Sequence, residues 1–155
     1  MTSAQGEAAR KTIHVALSVV AALVVAETRP LTAATILAAA TLIALAAEVA
    51  RRASGAFGGA FRRGLGPMLR PAEAAGRLTG ATTLSIGYTV AAVALPGTPA
   101  LAGILITGVA DALAAVVGRR LGRHRYRGGK SVEGSAAFAI AVFALTVGIT
   151  GLGPA

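Results

Sequence analysis

Two carboxylates, Asp111 and Glu133, stand out for the chemistry they could share. Asp111 lies inside an apolar run, and Glu133 lies in KSVEGS, Lys130 to Ser135, at the start of another. Two carboxylates at one membrane face suit Mg²⁺ bound to a nucleotide, because Mg²⁺ takes one or two carboxylates together with phosphates and water. At about 100° per residue, Asp111, Ala114, Ala115, Gly118 and Gly122 share one narrow helical stripe, an acid followed by minimal side chains. Either another helix or a ligand can approach the backbone along it. Arg119 flanks the stripe and Arg120 points away. The segment RRLGRHRYRGGK that comes after Gly118 supplies glycine N–H groups and cations, which together suit phosphate. Each feature also has a plainer reading: Asp111 as a buried structural acid, the glycines as helix packing, the arginines as anchors at the membrane surface, and Ser131 or Ser135 as a helix cap.

The elements that must carry these residues are apolar. Hydrophobic residues make up 55% of the chain and charged residues 14%, and the mean hydropathy is +0.71. Those values describe a helical membrane protein, not a soluble domain. Five spans are expected within one membrane domain, residues 1–155: about 12–26, 31–50, 78–95, 100–118 and 135–153. Between them lie loops 51–77 and 119–134, the first with short interfacial helices around residues 56–63.

The net charge of +9 would suit nucleic acid if it were not so unevenly placed. Of the 15 Lys and Arg, all but Arg29 fall in the N-terminal segment and the two long loops. With alternating spans those three segments share a side, so they and the N-terminus are expected in the cytoplasm, with the C-terminus extracytoplasmic. The cations are then membrane-flanking anchors of a plasma-membrane protein, and nucleic acid is not an expected partner. Without cysteine, no disulfide or thiolate metal site can form.

Three further clusters carry polar groups. Arg10, Lys11 and His14 share a helical face in RKTIH, where the plainer reading is a Glu7–Lys11 surface pair beside an interfacial histidine. RLTGAT, residues 77–82, contains Thr79 and Thr82, and Thr79 could simply cap a helix. Glu48 has the spacing of a local salt bridge to Arg51 and Arg52.

The pattern Asp111, Ala114, Gly118, Gly122, followed by Lys130, Ser131, Glu133 and Gly134, resembles the CTP-dependent lipid kinases, the family of dolichol kinase, phytol kinase and a CTP-dependent diacylglycerol kinase. RKTIH and RLTGAT resemble two other segments of that family. Gly129 stands where dolichol kinases tend to have a second lysine, which favours the smaller bacterial branch. The resemblance implies CTP at the cytoplasmic face. In this reading Asp111 and Glu133 hold Mg²⁺, and Lys130 and Arg119 neutralise phosphates. Gly118, Gly122, Ser131 and Gly134, with Arg10, Lys11, Thr79 and Thr82, belong to the nucleotide site. His14 is a base or orients the acceptor hydroxyl.

Family members usually continue past this helix. A chain ending at Ala155 is either a minimal member, completed as a homo-oligomer, or a shortened one. The expected activity is transfer of the γ-phosphoryl group of CTP to a lipid alcohol: polyprenol, a phytol-like isoprenoid or diacylglycerol. A phosphatidate cytidylyltransferase is the rival enzyme, and a non-catalytic membrane subunit or small transporter the rival of another class.

Overall fold

The computed structural model describes residues 4–126 and 128–151. Among them every extended element is a helix, and the loop before the last helix carries an isolated β-bridge between Arg125 and Ser131. Helix α1 (Ala4–Glu27) begins well before the expected Thr12. Its charged first turns are neutralised locally: the Arg10 guanidinium lies 2.7 Å from Glu7. A short link leads to Pro30, at the first position of α2 (Pro30–Ala53), where a missing N–H costs nothing. Ser54 caps α3 (Gly55–Leu65) by accepting from the Phe57 N–H at 3.2 Å, so the helix expected around 56–63 is present and slightly longer.

After the single-turn α4 (Pro71–Ala74), Thr79 caps α5 (Gly80–Ala94). Gly97, at φ +81°, takes the turn into α6 (Thr98–Arg120) in a conformation that favours glycine. Helix α7 (Val132–Gly151) closes the described chain; the end of the expected fifth span, 152–153, lies outside the described residues.

Helices α1, α2, α6 and α7 are long and apolar enough to cross a membrane. Helix α5 has 15 residues, a rise of about 22 Å against a hydrocarbon core of about 30 Å. Contacts fix the relative directions of the helices. Glu48 meets Thr79 and Thr82 while Thr41 meets Thr89, so α2 and α5 are antiparallel. Lys11 meets Asp111 while Ser18 meets Gly108, so α1 and α6 are antiparallel too.

The buried core is made largely of small residues, Ala21, Ala22, Ala33, Ala92, Ala100 and Ala110, around Leu37, Tyr88 and Ile104. Small side chains let helix backbones approach closely, the packing mode available when lipid is as apolar as the core. Large apolar side chains such as Leu31, Ile43, Ile140 and Phe143 instead face outward. In water this would be an aggregating surface; against lipid tails it is the expected one.

Candidate active site

Helix α6 is wound as a π-turn over Ile106–Ala110, immediately before Asp111. Such turns widen the helix by one residue and re-aim the side chains beyond them. Gly108 is buried in this turn, and a Cβ there would run into the Ser18 side chain of α1. Ser18 is fully buried. Its hydroxyl donates to the His14 carbonyl at 2.6 Å and is bonded to the Tyr88 hydroxyl of α5. Three helices are therefore pinned together one turn from His14 and one turn from Asp111, which fixes the spacing of those two side chains.

Beyond this knot the helix ends open into two adjoining cavities. One, of about 570 Å³, is lined by Asp111, Ala114, Gly118 and Arg119 of α6, Lys130 and Ser131 of the loop, Gly134 of α7, and Glu7 and Lys11 of α1. The other, of about 670 Å³, shares Glu7, Lys11 and Asp111 and adds Arg10, His14, Arg70, Glu73, Arg77 and Gly80. Most of the residues that the family resemblance groups together thus share walls, although they come from four separate segments. The Asp111 side chain is 71% exposed and stands 3.6 Å from the Lys11 ammonium, too long for a strong hydrogen bond. Among the described residues, Arg119 and Lys130 have no carboxylate within ion-pair distance. One exposed acid faces cations whose charge is not compensated by the protein.

The glycines settle a question that their spacing leaves open. A Cβ on Gly122 would stand 2.6 Å from the Ser131 hydroxyl, and one on Gly134 would stand 3.0 Å from the Ala114 carbonyl and 3.2 Å from the Gly118 Cα. Gly118, Gly122 and Gly134 let α6 and α7 pack backbone to backbone around Ser131. Ser131 is buried and caps α7, accepting from the Gly134 N–H at 3.1 Å. Gly118 and Gly134 also line the smaller cavity; Gly122 does not, and its part is packing.

Glu133 is placed differently from Asp111. Its carboxylate accepts from the His124 backbone N–H at 3.1 Å and lies 2.8 Å from the His124 ring Nδ1. It does not line either cavity. Glu133 clasps the start of the basic loop to the first turn of α7. The same loop is closed by Tyr126 N–H to Lys130 O at 2.9 Å and by Val132 N–H to His124 O at 2.9 Å, and Gly128 and Gly129 make its tip at positive φ. The clasp holds Lys130 and Arg125 where they line the cavity. Arg127, in the same loop, lies outside the described residues.

Thr79 and Thr82 belong to a separate polar cluster. Glu48, 3% exposed, accepts from the Thr79 N–H at 2.8 Å and the Thr82 hydroxyl at 3.1 Å, and pairs with Arg51 at 2.6 Å. Glu73, 6% exposed, accepts from the Arg70 N–H at 2.7 Å and the Gly80 N–H at 2.8 Å. Arg51 donates onward to the Glu73 and Arg77 carbonyls. Thr79 and Thr82 line neither of the two charged cavities; they are spent on joining α2 to α5. Arg10 is held by Glu7.

Residues that motif spacing does not single out also line the site: Glu7, Arg125, Tyr126 and Ser135. Tyr126 and Ser135 are joined hydroxyl to hydroxyl at 2.6 Å. Among the described residues no three His, Cys, Asp or Glu side chains form a group that could hold a metal.

No protein-family model matches the chain, and no solved structure does. A curated relative, a phytol kinase of Synechocystis sp., is 39% identical over 107 residues, covering 60% of this chain. The chain spans less than half of that relative, 46% of its length.

Proposed function

We propose that this chain is a membrane-embedded kinase that transfers the γ-phosphoryl group of CTP to the hydroxyl of a lipid alcohol, an isoprenoid alcohol such as phytol being the favoured acceptor. One observation carries the reading. The exposed carboxylate of Asp111 shares a cavity wall with its ion-pair partner Lys11 and with Arg119 and Lys130, which among the described residues have no carboxylate within ion-pair distance, at the ends of apolar helices. Phosphoryl transfer asks the protein mainly for positioning and charge neutralisation, and this wall can supply both. The similarity to a phytol kinase points the same way.

The donor set suits Mg²⁺ brought in by nucleotide phosphates, since one carboxylate completed by phosphate oxygens and water is a common Mg²⁺ shell. Asp111 is the protein ligand in this proposal, with Glu7 across the same cavity. The bound ion would supply neutralisation of phosphate charge there. Lys130 and Arg119 hold the phosphates, Lys11 holds Asp111 in place until the nucleotide arrives, and His14 orients the acceptor hydroxyl. Glu133 acts through the loop, with direct metal ligation by it as the competing assignment. The three basic segments converge on this end of the bundle, so the site is assigned to the cytoplasmic face, with five crossings and α5 accommodated by tilt of its neighbours or local thinning of the bilayer.

The test is CTP labelled in the γ or the α phosphate, supplied with Mg²⁺ and a long-chain isoprenoid alcohol to the purified protein. Label entering the lipid from the γ position alone is the expected result. Label entering from the α position, with pyrophosphate released, would replace this reading with a cytidylyltransferase. Label entering from neither would return the chain to a non-catalytic membrane role.

A further inference from the structure

A third cavity, of about 260 Å³, lies between α1, α2, α3 and α5. Its walls are mostly apolar, Ile13, Ala44, Ala47, Phe61, Leu65 and Met68 among them, with Thr79 and Thr82, whose hydroxyls are engaged with each other and Glu48, and the hidden carboxylates Glu48 and Glu73 behind them. Those two acids keep the cavity apolar because their oxygens are already committed to the Thr79, Gly80 and Arg70 N–H groups and to Arg51. Ile13 and Leu65 are also exposed on the outer surface, so the lining reaches the lipid-facing exterior.

This apolar cavity and the larger charged one share a wall of four residues: Arg10, His14, Glu73 and Gly80. Three of them offer a ligand no free proton acceptor. Arg10 is bound to Glu7, both Glu73 oxygens accept backbone N–H groups, and Gly80 has no side chain. The half-buried His14 ring packs over Gly80: a Cβ there would meet its Cε1 at 3.1 Å and its Nε2 at 3.3 Å. Among the described residues the ring nitrogens of His14 have no hydrogen-bond partner. The wall between an apolar compartment and a cationic one thus has one uncommitted proton acceptor, the His14 ring, beside the outer N–H groups of Arg10.

We propose that the apolar cavity holds the hydrocarbon of a single-chain lipid alcohol, entering from the membrane past Ile13 and Leu65, with its hydroxyl at His14. The inference rests on the kinase reading above and adds where the acceptor lies. In the transfer the hydroxyl oxygen forms a bond to the γ-phosphorus of the nucleoside triphosphate. The bond from that phosphorus to the bridging oxygen breaks, the nucleoside diphosphate leaves, and the hydroxyl proton passes to the His14 ring. A volume just under the usual ligand-site range of roughly 300–1,000 Å³ suits a stretch of one chain and not a two-tailed lipid.

The experiment is photocrosslinking of the full chain in nanodiscs with a long-chain prenol bearing a diazirine at its hydrocarbon end, without nucleotide, mapped by mass spectrometry. Crosslinks should fall on Ala44, Ala47, Leu65 or Met68, should be competed by unlabelled prenol and not by diacylglycerol, and should be lost in Ala47→Leu. In turnover, Ala47→Leu should raise KM for the alcohol roughly tenfold, the scale of a misfit of a few methylenes in an apolar pocket. KM for CTP should be unchanged, which also reports that the variant is folded. Crosslinks at this cavity in a protein without kinase activity would support the lipid site and overturn the kinase reading. An active kinase whose crosslinks fall elsewhere, or whose alcohol KM ignores Ala47→Leu, would overturn the lipid site and leave the kinase reading standing.

Discussion

The polar groups at one end of this bundle form two regions that treat their carboxylates in opposite ways. On the α2–α5 side, Glu48 and Glu73 are almost wholly buried, and each accepts two or more hydrogen bonds from backbone, hydroxyl or guanidinium donors. On the α1–α6–α7 side, Asp111 is 71% exposed and, among the described residues, pairs only with Lys11, at 3.6 Å. Burial of a charge is tolerated only when its partners are complete, so the first region can hold helices together with nothing added. The second has charge to spare on both signs. A carboxylate and several cations left in this condition beside a cavity are prepared for a ligand that brings phosphate and a counter-ion. The same functional group, a carboxylate, is thus structural in one place and suited to chemistry in the other, and hydrogen-bond completeness tells them apart.

Neutralising one acid from each region should separate the two most clearly. Asp111→Asn should lower kcat/KM by roughly a hundredfold or more, the scale of removing one preorganised charge from a transition state, with the thermal melt unchanged. Glu48→Gln should do the reverse, costing about 3 kcal/mol of stability because Arg51 is left buried without its charge partner, as read from denaturation in detergent. If Asp111→Asn melts early, or Glu48→Gln leaves stability intact, the division between the regions fails.

A smaller effect decides the assignment of Glu133. As the clasp of the basic loop, it should yield on Glu133→Gln a KM for nucleotide raised about tenfold with kcat largely kept, since a neutral amide can still accept from the His124 N–H. A loss in kcat equal to that of Asp111→Asn would instead make Glu133 a metal ligand. Smaller again, Lys130→Ala should weaken nucleotide binding by about 1–2 kcal/mol, one charge-assisted contact, while Arg123→Ala, which lines none of the three cavities, should change little in a direct binding titration.

Much of this arrangement was legible in the chain. Apolar runs interrupted by Glu27–Pro30, residues 51–77 and PGTP give the helix alternation, because membrane helices must satisfy their backbone internally and so leave long uniform blocks. The stripe from Asp111 to Gly118, and Lys130, Ser131, Gly134 and Ser135 of KSVEGS, mark the cavity wall, since their spacing is local to one helix and one loop, whereas Gly122 and Glu133 of the same motifs lie off it. What stayed hidden depends on contacts between distant segments. Nothing in ITGVA announces a π-turn; it goes with the close approach of Ser18 to Gly108. Helix α1 starts near Ala4 and not Thr12 because Glu7 and Asp111 supply partners for Arg10 and Lys11. Glu73 shows in the sequence as an acid preceding RLTGAT, but its burial beneath the Gly80 and Arg70 N–H groups does not. Thr79 and Thr82 illustrate the converse: their motif suggested a ligand, and their hydroxyls are engaged with each other and with Glu48.

Binding of a magnesium nucleotide in the Asp111 cavity is the claim on which the rest depends. The measurement is thermal unfolding of the full chain in detergent, with and without Mg²⁺-CTP, for the wild type and Asp111→Asn. At a ligand concentration about a hundred times its Kd, the wild type should gain about 2.7 kcal/mol, and Asp111→Asn should gain almost nothing while melting normally without ligand. Equal stabilisation of the two proteins, or none of the wild type at any concentration, would contradict it.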